Sequence, residues 1–187
     1  MTIRDAVGKD SEALAEIYGY YVKNTAVTFD YDAPTAAEFE RNIAATQEKY
    51  PFLVAEEGNR ILGFACAGVF KNKAAYARAA ETTIYLHPGA RGKGIGAQLL
   101  AALEDALRRR NFINAYACIT FTEKEDDTLT NASMRFHERM GYRLCGTFRQ
   151  CGYKFGRWYD MIWMEKMLGA HEEKTAPLPA QEKTPSE

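Results

Sequence analysis

Arg91-Gly92-Lys93-Gly94-Ile95-Gly96 joins an extended segment to the start of a strongly amphipathic one. That position makes it a candidate phosphate cradle. Helix N-termini carry free amide donors and a partial positive charge, and glycines let an anion approach those donors closely. Arg91 and Lys93 place cations beside them. Upstream stands Glu81, which alternation places on one face with Thr83, Tyr85 and His87. A carboxylate there can take a proton from an amine, or stand solvated at a strand entrance. Downstream, His137 lies on a short helical run. With an ordinary pKa of about 6.5 it can exchange a proton near neutrality, although a packed or capping histidine has the same signature. His87, which precedes Pro88, reads as structural.

Several loops use this physics. A Walker loop needs Ser or Thr after Gly-Lys to hold magnesium, and Gly94 stands there instead. A dinucleotide fingerprint can be laid on Gly92, Gly94 and Ala97, but it expects an acidic residue at the end of the following strand. That strand reads Ala115-Tyr116-Ala117-Cys118-Ile119. A glycine-rich turn without a ligand remains a further alternative.

The elements that must position these residues follow from periodicity. Thr2 to Ala6 predicts a short strand. Leu14, Ile17, Tyr18 and Tyr21 predict a helix from Asp10 or Ser11, and Thr35 with Glu38 predicts a capping box for a second helix burying Phe39 and Ile43. Phe52 to Ala55 and Ile61 to Phe70 predict a hairpin about the turn Glu57 to Arg60. A polar connection, Lys71 to Arg78, leads to a strand from Glu81 to His87. Ile95, Leu99, Leu103 and Leu107 form the apolar stripe of the clearest helix, with Arg108, Arg109 and Arg110 at its negative end. Ile113 to Phe121 is then a strand parallel to the previous one through a right-handed crossover. After the acidic loop Glu123 to Asp127, a helix from Asn131 to Met140 stops at Gly141. Strands Tyr142 to Gly152 and Trp158 to Met167 close the domain. The expected architecture is therefore α/β (α+β): a mixed central sheet with helices on both faces.

At 187 residues and 47% apolar, the chain suffices for one α/β domain, assigned to residues 1–169, with a polar tail over residues 170–187. Lysine plus arginine (24) nearly cancel aspartate plus glutamate (25). No global field recruits nucleic acid or an anionic membrane, so a small-molecule partner is expected. No apolar run approaches the roughly 20 residues of a bilayer span, and Thr2-Ile3-Arg4-Asp5 lacks the order of a signal peptide, so a cytoplasmic location is expected. Cys66, Cys118, Cys145 and Cys151 have neither CxxC spacing nor clustered histidines and read as reduced structural thiols, with no metal site.

Taken together, Tyr85-Leu86-His87-Pro88, the glycine loop, Leu99-Leu100 and the later run Ser133 to Tyr142 resemble the GNAT superfamily of N-acetyltransferases. Its coenzyme A motif and short helix ending in Gly-Phe or Gly-Tyr occur here in that order. Phe29, Pro51 to Ala55 and Gly152 to Asp160 further resemble the phosphinothricin and methionine sulfoximine acetyltransferase branch; the likeness runs from about Ile3 to Leu168. Where the family usually carries Asn before the helix serine this chain has Thr130, with asparagine displaced to Asn131.

The resemblance implies a GNAT fold whose parallel strand pair is joined by the helix after the phosphate loop. It also implies acetyl-coenzyme A as cofactor and acetyl transfer to the amine of a small molecule, an amino acid or analogue. Tyr85, Leu86, Arg91, Gly92, Lys93, Gly94, Ile95, Gly96, Ala97, Asn131 and Ser133 would hold the cofactor. Glu81 would act as base, directly or through water, and His137 as the acid for the departing thiolate. Backbone amides near Leu86 would stabilise the oxyanion, and Phe29, Tyr153, Lys154 and Trp158 would contact the acceptor. The branch further implies a homodimer. Acetylation of a protein N-terminus or lysine, and a coenzyme A-binding module without chemistry, are the competing readings.

Overall fold

A seven-stranded sheet in the order β1-β2-β3-β4-β5-β7-β6 organises the molecule, a computed structural model that describes residues 1–172. The part of the expected polar tail from residue 173 onward lies outside the described residues. The strands are β1 (Thr2–Asp5), β2 (Phe52–Glu57), β3 (Arg60–Val69), β4 (Ala79–Leu86), β5 (Asn114–Phe121), β6 (Arg143–Lys154) and β7 (Arg157–Met167). The helices are α1 (Ser11–Asn24), α2 (Ala36–Gln47), α3 (Ile95–Arg109) and α4 (Ala132–Arg139). Neighbouring strands are antiparallel except β4 and β5, which run parallel and are linked through α3, as expected.

Alternation sorts each strand between two cores. Phe52 and Val54 of β2 join Leu14, Ile17, Phe39 and Ile43 under α1 and α2, whereas Leu53 and Ala55 join the α3 side. A four-residue apolar run is what a strand covered on both faces requires. On the α3 side Leu99, Leu103 and Leu107 are fully buried against Ala65, Ala115, Ala117 and Met164. Small residues on the strands let the helix approach. Each of those leucines stabilises the fold by about 1.5–3 kcal/mol relative to exposure.

The local signals act as their chemistry requires. The Glu38 carboxylate accepts from the Thr35 amide at 2.7 Å, and the Thr35 hydroxyl accepts from the Glu38 amide at 3.3 Å, completing the capping box of α2. Gly141 follows α4 with φ of +87°. Boundaries shift by one or two residues in several elements, β6 for instance running to Lys154 where Gly152 was expected, and β4 starts at Ala79, before Glu81. The preceding Ala79 and Ala80 carry no alternation, yet they are buried and pair with β5. Tertiary pairing, not pattern, makes them strand.

Candidate active site

β4 and β5 pair at three positions, Ala79 with Asn114, Ala80 with Ala115 and Glu81 with Tyr116. Beyond Glu81 the register ends and the strands splay. A cavity of about 660 Å³ fills the opening, lined by Thr82 to Leu86 of β4 and Ala117 to Thr120 of β5. The antiparallel ladder to β3 decides which backbone groups face it. The His87 amide bonds to the Leu62 carbonyl at 2.8 Å, so bonded pairs fall on His87, Tyr85 and Thr83. Ile84 and Leu86 therefore turn their N–H and C=O groups away from β3, into the gap.

The glycine loop forms the mouth of this cleft. Gly92 and Gly94 have φ of +75° and +76°, and a Cβ built on either would meet no atom within 4 Å. Gly94 is the N-cap of α3 and provides no side-chain cap, so the first-turn amides of Ile95, Gly96 and Ala97 stay free for a ligand. A Cβ at Gly96 would come within 3.3 Å of Leu86 and 3.5 Å of Phe136, which shows how tightly α3 seats on β4 and α4. Free donors, open space, a helix N-terminus and Arg91 at the rim fit a diphosphate. Lys93 faces elsewhere, toward a separate cavity of about 460 Å³ bordered by Arg60 and Gln98.

His137 is 3% exposed on α4 and borders the main cavity. Its Nδ1 lies 2.8 Å from the Ser133 carbonyl, and its ring meets Phe136 and Tyr142 edge to face, at 5.1 Å each. Burial pushes its pKa below the ordinary value, and the bond to Ser133 opposes this in part. Ser133 also lines the cavity. Asn131 works one step back: its side chain clamps Thr122, accepting from the amide at 3.2 Å and donating to the carbonyl at 2.8 Å. It thereby fixes the entry to α4.

Glu81 sits where the pairing ends, just outside the cavity wall and on the opposite face of the sheet from His137. Burial pushes its carboxyl above the usual range, and Lys71 pulls it partly back. Cys66 and Cys118 flank it; burial first and Glu81 second raise their thiols, to about 12 and about 11. Neither thiol is poised as a thiolate. The Lys71 ammonium lies 5.3 Å from the Phe70 ring centroid and 5.7 Å from that of Trp163, and Phe70 stacks on Tyr116 at 4.0 Å.

Of the expected acceptor residues, Phe29 and Lys154 meet at the β6–β7 hairpin, and none of Phe29, Tyr153, Lys154 and Trp158 lines the main cavity. The segment between α1 and α2 is strapped to the β6–β7 hairpin: Lys154 Nζ donates to the Thr28 carbonyl at 2.8 Å, and the Tyr31 hydroxyl donates to the Tyr153 carbonyl at 2.6 Å. Phe29 lies over Gly152, where a Cβ would come within 2.2 Å of its ring. Lys154 is buried, with its pKa lowered by desolvation, while Tyr153 and Trp158 form an exposed ring pair at 5.1 Å. The sequence reading missed Tyr20, Tyr21 and Asn24 of α1 and Arg139 of α4, which all line the cavity. Their periodicity signalled helix; nothing in it distinguished the end of α1 that meets the loop.

A parallel pair forced open over an uncapped helix N-terminus defines a coenzyme A-dependent acyltransferase. The chain belongs to the GNAT acetyltransferase family, whose domain model matches residues 3–163. It is 38% identical over 170 residues to the phosphinothricin N-acetyltransferase of Streptomyces coelicolor, covering 89% of this chain and 95% of that one. With the L-methionine sulfoximine/L-methionine sulfone acetyltransferase of Salmonella typhimurium it shares 33% over 176 residues, 91% and 96% of the two chains. The solved phosphinothricin acetyltransferase of Sinorhizobium meliloti, in complex with acetyl-coenzyme A, superposes with a TM-score of 0.84 at 34% identity, covering 95% of this chain and 93% of that one. No helix among the described residues is long and apolar enough to cross a membrane.

Proposed function

We propose that this N-acetyltransferase moves acetyl from acetyl-coenzyme A to the α-amine of a small amino acid or analogue, such as a phosphinate, sulfoximine or sulfone. The supporting observation is the strap between the α1–α2 segment and the β6–β7 hairpin, which closes the acceptor side where a polypeptide would need an open groove. The relatives named for phosphinothricin and methionine sulfoximine point the same way.

Bound in the cleft, acetyl-coenzyme A supplies an activated acetyl group on sulfur. Arg91, Gly92, Gly94, Ile95, Gly96 and Ala97 hold its diphosphate end; Tyr85, Leu86 and Ser133 line the arm leading inward, Asn131 orients α4, and Lys93 adds charge from behind the loop. The Ile84 and Leu86 amides point where an oxygen gaining negative charge would need donors. Glu81, on the acceptor face, takes the amine proton directly or through water. His137, on the opposite face, takes a proton from solvent through the cavity it borders and delivers it to the thiolate. This division across the sheet keeps the two proton transfers from competing for one group. Phe29, Tyr153, Lys154 and Trp158 shape the acceptor side, Lys154 by holding Thr28.

The exposed edge strand β6, with Leu144 and Phe148 about half accessible, supports a homodimer. The four unpaired thiols support a reducing, cytoplasmic location.

A thiol-release screen over amino acids, their phosphinate, sulfoximine and sulfone analogues, polyamines and N-terminal peptides tests the reading. Turnover is expected with the amino-acid group; turnover with peptides alone would overturn it. Binding of coenzyme A with no acceptor turned over would favour a module without chemistry.

A further inference from the structure

Two adjacent tyrosines near the end of α1 face the phosphate loop. The Tyr21 hydroxyl donates to the Leu86 carbonyl at 2.6 Å and accepts from Arg91 Nε at 3.3 Å. The Arg91 guanidinium carbon also lies 4.9 Å from the Tyr21 ring centroid and 5.9 Å from that of Tyr20. Tyr20 and Tyr21 meet at right angles, 5.5 Å apart, and Tyr85 braces Tyr21 from the sheet at 5.0 Å. Tyr21 is 6% exposed, so its ring has a fixed seat. No carboxylate of the described residues forms an ion pair with Arg91.

These contacts solve two problems with one hydroxyl. A free arginine side chain loses rotamer freedom when a ligand orders it. Here one of its five N–H donors is already committed and its plane is backed by aromatic faces, leaving the remaining fork for an anion. The Leu86 carbonyl, meanwhile, is turned into the cleft by the β3–β4 register. Unmatched, its negative end would face the region an anionic cofactor must cross. The Tyr21 proton satisfies it.

We infer that Tyr21 is a positioning residue of the cofactor site, holding Arg91 in place for the diphosphate of the acyl donor while capping the last cleft-facing carbonyl of β4. The inference rests on the reading of the glycine loop as the diphosphate site. It also makes α1 part of that site, and α1 leads directly into the strapped segment on the acceptor side.

The test combines calorimetry of coenzyme A on the enzyme without acceptor and the ratio of kcat/KM for acetyl-coenzyme A to that for S-acetyl-N-acetylcysteamine, a donor without phosphates. Tyr21→Phe is expected to weaken coenzyme A about tenfold and to lower the ratio by a similar factor, as loss of one charge-assisted hydrogen bond requires. In an Arg91→Ala background the same change should cost little more, because both act through one contact. Unchanged affinity, equal losses on both donors, or full additivity would overturn the inference. Should Tyr21→Phe not fold, Arg91→Lys serves instead. Its exposed ammonium keeps the charge but loses Nε and the planar fork, and wild-type affinity would then be the overturning result. Gly94→Val separates the two layers. If it too leaves coenzyme A binding intact, the loop reading itself fails. If it weakens binding while Tyr21→Phe does not, the loop stands and Tyr21 is packing.

Discussion

The Nδ1 atom of His137 lies 2.8 Å from the Ser133 carbonyl oxygen, four residues back on the same helix. A carbonyl only accepts, so Nδ1 carries the hydrogen and Nε2 is the nitrogen that titrates. Burial lowers the pKa from its ordinary value, so Nε2 is unprotonated at neutral pH. It must therefore collect a proton during the cycle before giving one to sulfur. His137→Ala is expected to depress kcat by about 10²-fold or more, with little change in coenzyme A affinity. Normal turnover with an early melt would instead make it a packing residue.

The same histidine sets a stability trend. Its folded pKa is depressed, so between that value and about 6.5 the unfolded chain binds more protons than the native one. Its favourable burial is present above about 6.5 and is lost as pH falls through the depressed value. The melting difference between wild type and His137→Gln should accordingly shrink on acidification from pH 7.5 to 5. A difference that widens would contradict a buried neutral imidazole.

Glu81 has the opposite sign. Its carboxyl is raised by burial, so the native chain holds its proton at pH values where the unfolded chain has released it. Stability is lost as pH rises through the folded value, and Glu81→Gln should melt higher than wild type at neutral pH but not near pH 4. Activity should move the other way. The substitution should lower kcat/KM by about 10²–10⁴-fold and flatten the acid limb of the pH profile. An α-amine with a pKa of about 7.7–8.0 needs less help at alkaline pH, so much of the loss should be recovered there. Wild-type rates below neutrality would assign the proton transfer to water.

Gly94 tests the mouth of the cleft. Its φ of +76° strains any L-residue, and its missing Cβ faces open space. Gly94→Val should melt lower, by about 1–3 kcal/mol of backbone strain, and should shorten the thermal shift given by acetyl-coenzyme A. NAD should give no shift to either protein. A shift with NAD alone would identify a dinucleotide site.

Much of this was legible because periodicity and capping act locally. The stripe Leu99, Leu103, Leu107 and the pair Thr35–Glu38 each lie within one helix, where spacing alone states the contact. The splay of β4 from β5 was not legible, since it depends on where pairing stops, at Glu81 and Tyr116, and no single segment encodes that. Tyr21 escaped for a related reason. Its helical spacing marked it as buried, but its hydroxyl meets Leu86 and Arg91, far along the chain. Lys154 was expected to contact the acceptor, yet its ammonium is buried and bound to the Thr28 carbonyl, a contact 126 residues away in sequence that no local pattern states.

Gly152 gives the sharpest test of the acceptor side. A Cβ there would lie 2.2 Å from Phe29 Cζ, far inside contact distance, and the ring cannot slide freely because it also packs against Tyr159, 6.2 Å between centroids. Gly152→Ala must therefore push Phe29 and its segment away from the hairpin, at an overpacking cost of about 1–3 kcal/mol. The strap bonds from Thr28 and Tyr31 leave the same segment, so their geometry shifts with it. The glycine loop is not among the groups that Phe29 or Gly152 touches, so the cofactor mouth should not sense the change. The expected result is a raised KM for the amine acceptor with coenzyme A affinity unaltered by calorimetry. A lower coenzyme A affinity at constant acceptor KM would show that the Phe29 segment serves the cofactor and would remove it from the acceptor site.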